Sequence, residues 1–172
     1  MNTSRSDKDS ENLNLGQRVL ELIFTVLMVF LLGFFVYHQQ TNSGYFTEKY
    51  GALEMLCLYV PIALAISAML VRVWTGQRQP ARPLEVLRNL LLGLGSLWLL
   101  TVFPFNFTHL ADTLPEAMRF VLGWLTNDMG RILLILQIVI GPITALVTAW
   151  QYMTLRHRDK LSHSNGTVYH SA

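Results

Sequence analysis

The 172 residues contain a single cysteine, Cys57, set within an apolar stretch. One thiol excludes an internal disulfide and any multi-cysteine metal site, so cysteine usage says nothing about redox compartment. Charge is scarce too: Asp, Glu, Lys and Arg make up 14% of the chain, and the formal net charge is +2. So small an excess gives no reason to expect a nucleic-acid partner. No Gly-rich phosphate loop, HExxH helix or CxxC pair occurs. Ionisable side chains are missing from the centres of the apolar blocks, where they would be costly and would mark a transport path or proton relay.

What is present is apolar. Hydrophobic residues account for 52% of the chain, more than one water-soluble core of this length can hide. They are gathered into blocks near the roughly 20 residues needed to cross a hydrocarbon layer. The reading is therefore an all-α, integral membrane four-helix bundle with spans at about residues 19–37, 53–74, 84–105 and 131–153. A polar leader, 1–17, precedes the membrane domain 18–155. The first apolar block begins only after this leader and has no small-residue cleavage site behind it, so it is expected to be a retained span. The polar tail, 156–172, is expected to be unfolded. Pro61 and the pair Gly141-Pro142 should bend their spans, since proline has no amide hydrogen to donate.

Between the third and fourth spans, Thr113-Leu114-Pro115-Glu116 has capping-box spacing ahead of an apolar run, which predicts an additional short amphipathic interfacial helix over 114–126. Glu116, Arg119, Gly123 and Thr126 would form its polar stripe. Too short to span, it should lie at the membrane surface.

Ten of the 13 basic residues fall on one side of the four spans. These are Arg5, Lys8 and Arg18, then Arg72, Arg78, Arg82 and Arg88, then Arg156, Arg158 and Lys160. Lys49, Arg119 and Arg131 fall on the other. Because cytoplasmic loops retain Lys and Arg, both termini are expected in the cytoplasm, with the plasma (inner) membrane as the location.

Reactive constellations are few. Glu21, Glu54, Arg72, Arg88 and Arg131 all sit near a predicted boundary, where long side chains reach water or a neighbour. Haem in a bundle needs histidines facing each other at depth, whereas His38 and His109 fall at a boundary and His157, His163 and His170 in the tail. His38, Glu54, His109, Asp112 and Glu116 follow no recognised metal spacing. Ser67, Ser96 and Cys57 lie in apolar stretches that supply no histidine or carboxylate at comparable depth. No catalytic residue, cofactor or metal is therefore assigned.

The positive signals are packing signals. Gly141, Ala145 and Ala149 repeat every four residues beside Thr144 and Thr148, Ala63 and Ser67 form a shorter small-residue pair, and Gly93 with Ser96 a looser one. Trp74, Trp98, Trp124 and Trp150 read as interfacial anchors, and Phe103 to Phe107 as an aromatic belt. The function expected from this pattern is a non-enzymatic accessory, assembly or scaffold component. Its partners are membrane lipid and either a second membrane protein or another copy of the chain. The alternative is a small oligomeric transporter or channel using Glu21, Tyr59, Gln137 and Thr144.

Overall fold

The computed structural model describes residues 12–112 and 114–168, with side chains described as far as Thr154. It is all-α, with four long apolar helices and one short one and, among the described residues, no strand. The helices are α1 (Leu15–Gln40), α2 (Ala52–Thr75), α3 (Arg82–Val102), α4 (Arg119–Leu122) and α5 (Asn127–Val168).

Local chemistry sets the boundaries. α1 starts ahead of the expected span because Asn14 and Gln17 cap each other: Asn14 Oδ1 accepts from Gln17 N (2.8 Å) and Gln17 Oε1 accepts from Asn14 N (3.1 Å). α2 closes on Gly76, whose φ of 68° is left-handed and suits glycine. α3 ends at Val102, short of the predicted Phe105, because Pro104 disfavours helical backbone at the residue before it; Phe103 takes φ 41° instead.

Two expectations require correction. The interfacial helix is much shorter than 114–126: a 3₁₀ turn over Glu116–Met118 leads into the single turn of α4. The residue ahead of that turn is Pro115, which offers no side-chain cap, and Thr113 lies outside the described residues. Thr126 cannot continue the helix because its hydroxyl accepts from Met129 N, capping α5. The tail is the second case: its backbone stays helical to Val168. The preceding span supplies the nucleus, and extending a helix costs far less than starting one. Residues 169–172 lie outside the described set.

Packing follows chain order, α1 on α2, α2 on α3, and most extensively α3 on α5. The closest approach is between α3 and α5, where a Cβ added to Gly141 would meet Asn89 O at 2.8 Å and one added to Gly93 would meet Pro142 Cδ at 2.8 Å. Elsewhere the long helices turn large apolar side chains outward, Phe30 at 73% exposure and Leu146 at 71% among them. The buried aromatic and aliphatic core, Tyr45, Leu99, Phe105, Leu110 and Leu134, gathers at one end of the bundle.

Candidate functional site

The polar side chains of the long helices meet in small groups, each joining two or three elements. At the end bearing the termini, Arg72 of α2 contacts Glu21 Oε2 of α1 at 2.9 Å and also pairs with Glu85 of α3. One guanidinium thus ties three helices. Its Nε is buried without a hydrogen-bond partner, so the two carboxylates hold it by its other nitrogens. Glu21, one of the four transport candidates, is here the counter-ion of Arg72.

A second group runs along the α3–α5 contact. Arg82, Asn89 and Ser96 follow each other at seven-residue steps and are all buried, which places them on one seam of the helix. Opposite them on α5, Gln151 Oε1 accepts from Arg82 Nη1 (3.3 Å), Gly141 lies against the Asn89 backbone, and Gln137 Oε1 accepts from Ser96 Oγ (2.7 Å). Arg88 Nε and Nη2 both donate to Asn89 Oδ1, at 3.1 and 2.8 Å. Polar pairs of this kind fix the register of two helices in surroundings that offer no competing water.

Toward the opposite end, Glu54 accepts from Trp98 Nε1 (2.8 Å) and from Gly51 N (2.9 Å), joining α2 to α3. Tyr59 Oη donates to Gln39 Oε1 (2.7 Å), and Gln39 Nε2 reaches Met55 Sδ (3.2 Å), joining α1 to α2. Beyond these pairs two loops close the bundle. Thr47 N donates to Pro104 O (2.9 Å) and Asn106 N to Tyr45 O (2.7 Å), forming a single antiparallel bridge between Phe46 and Phe105. Tyr45 packs edge-on to Phe46 and Phe107, with Phe35 stacked at 5.9 Å and Phe105 at 5.6 Å between centroids. His38, buried at the last turn of α1, hydrogen-bonds Ser43 Oγ through Nδ1 and also reaches the Leu110 carbonyl. Burial raises the Tyr45 and Tyr50 phenols well above the ordinary tyrosine range, so both stay neutral in this apolar cap.

The four transport candidates are not brought together. Glu21 is with Arg72, Tyr59 with Gln39 and Gln137 with Ser96, while Thr144 spends its hydroxyl on its own helix, at Ile140 O (2.7 Å) and Gly141 O (2.9 Å). Of the small residues, Gly141 and Ala145 are buried, Ala149 is half-buried, and Ala63 and Ser67 are exposed, with Ser67 Oγ donating to Ala63 O (2.8 Å). On α2 the buried small residues are Ala65 and Ala68. His109 pairs with Asp112 (2.7 Å) on the surface, while Glu54 is bonded internally to Trp98. Among the described residues no three His, Cys, Asp or Glu side chains converge as a cation site would require.

Arg72, Asn89 and His38 carry more of this arrangement than sequence reasoning assigned them. For Arg72 a signal existed: one arginine and two glutamates, all near the same predicted boundary, are complementary charges. The His38 contacts depend on loop folding and left no comparable trace.

Four helices long and apolar enough to cross a bilayer suggest an integral, multi-pass membrane protein of the all-α class. Comparison of the chain with known protein families, with curated proteins and with solved structures finds no match.

Proposed function

We propose that this protein is a non-enzymatic accessory, assembly or scaffold component of the plasma (inner) membrane, with both termini in the cytoplasm. The observation that carries the reading is the commitment of the polar groups to cross-helix ties: Arg72 with Glu21 and Glu85, Ser96 with Gln137, Arg82 with Gln151, Trp98 with Glu54. A conduction path wants polar groups aligned along a wet route. Here they act as rivets, and the aromatic loops over Tyr45 and Phe105 pack one end closed. The basic bias of the leader, the α2–α3 turn and the tail supports the orientation.

The test has two readouts. In vesicles with a pH-sensitive dye inside and an imposed pH gradient, wild type and Glu21→Gln should both pass protons no faster than protein-free vesicles. Native mass spectrometry from mild detergent should give an assembly heavier than one 19.6 kDa chain. Proton flux that disappears with Glu21→Gln would replace this reading with a transporter, and a lone chain without flux would remove the scaffold role.

A further inference from the structure

We propose that the last part of the segment linking α3 to α5, residues 116–126, is a rigid foot seated in the membrane interface, with phospholipid chains covering its exposed rings. This rests on the segment's own geometry and holds whether or not the scaffold reading does.

The segment has two unlike sides. Leu122 and Leu125 pack against the buried cluster of Tyr45, Leu99, Phe105, Leu110 and Leu134, which grips the segment from beneath. Asn127 Oδ1 accepts from Phe107 N (2.8 Å) and fixes its exit. Facing outward are Met118 (52% exposed), Phe120 (77%) and Trp124 (60%). The Trp124 indole N–H donates to Val121 O (2.7 Å), so its ring needs no outside acceptor and can enter an apolar phase whole.

Position selects lipid as the occupant. α5 begins at Asn127, directly after the segment, and its outward side chains Met129, Ile132 and Leu133 are already apolar and exposed. At 1.5 Å per residue, Ile132 is under two turns from the start of the helix, so the apolar side chains of the span begin close to those of the foot. Arg131 and Asp128 are exposed beside it, and Arg131 lies over the Phe103 ring at 4.7 Å from its centroid. Charges interleaved with rings at the start of a span are the composition of the headgroup boundary.

The test uses the full chain with Cys57→Ala, which keeps the Cβ that rests on Gly95. Single cysteines replacing Phe120 and Trp124 carry nitroxide labels in phosphatidylcholine–phosphatidylglycerol vesicles, with labels at Ile132 and Asn42 as lipid-facing and exposed-loop references. Labels at 120 and 124 should collide with dissolved oxygen in preference to a water-soluble nickel chelate, as at Ile132 and opposite to Asn42. In unlabelled protein, the emission lost in Trp124→Phe should be quenched by lipids brominated near the top of the chain. A nickel preference matching Asn42 would overturn the proposal. So would protection from both reagents, which is the signature of a covering protein, or an absence of bromine quenching.

Discussion

The two ends of the bundle are closed in the same way topologically and in opposite ways chemically. At the end bearing the termini, an isolated bridge joins Asn12 to Gln77, and Leu13 N donates to Gly76 O (2.8 Å), tucking Leu13 under the α2–α3 turn. At the capped end an isolated bridge joins Phe46 to Phe105. Around the first, Arg72, Glu21 and Glu85 keep between 16% and 20% side-chain exposure and hold three helices by charge. Around the second, rings of Tyr45, Phe46, Phe105 and Phe107 hold two loops by burial. The difference shows what each device needs. Charges can pair where water still solvates them, whereas rings gain in proportion to the surface they take out of water.

The sharpest way to break the comparison is to empty the capped end. Phe105→Ala, at a site only 5% exposed, should cost about 3–5 kcal/mol of stability to unfolding in detergent. Equal stability of this variant and wild type would mean the ring cluster holds nothing together. Next in size is Arg72→Gln, which leaves Glu21 and Glu85 facing each other without a cation. Its cost should fall at or below the lower end of the ~3–5 kcal/mol found for broken buried pairs, because all three side chains retain some solvent. Adding Glu21→Gln and Glu85→Gln should recover part of the loss, and a purely additive triple variant would show that the contact is not energetically coupled.

Between the two ends, Ala145→Leu should cost ~1–3 kcal/mol, since Ala145 is 1% exposed on α5. Val147→Leu, at 52% exposure, should leave the melting temperature in place. A matched loss in both would deny a tight contact at Ala145. The smallest effect concerns pH. Burial holds the Tyr45 phenol neutral in the fold while the unfolded chain ionises near pH 10, so the native state binds the proton more tightly. That contribution is complete below about pH 10 and is lost as pH rises beyond it. Tyr45→Phe should therefore flatten the alkaline limb of the stability profile, measured between pH 9 and 12 or so. An unchanged limb would mean the phenol already meets water.

Four apolar blocks were legible as four helices because span length and hydropathy are properties of consecutive residues, independent of what packs where. The α2 boundaries are readable to within a residue or so, since Gly51 and Gly76 flank a run whose charged residues, Glu54 and Arg72, stand only near its ends. The helix over 114–126 is shorter than its pattern predicts because Pro115 precedes its first turn without a side-chain cap, while Thr126 caps the start of α5 instead. The tail was misjudged because its polarity argues against burial, which is a different question from whether a helix already under way must stop.

The sequence by itself determined the class of this protein: an all-α chain with four helices apolar enough to span. Only the tertiary structure decided which polar residues meet. Glu21 of α1 finds Arg72 of α2, while on the α3–α5 contact Ser96 finds Gln137 and Gly141 lets the Asn89 backbone come close. Hydropathy acts locally along the chain and is therefore written in it. Pairing depends on rotation and depth of whole helices, quantities that exist only once the helices are side by side.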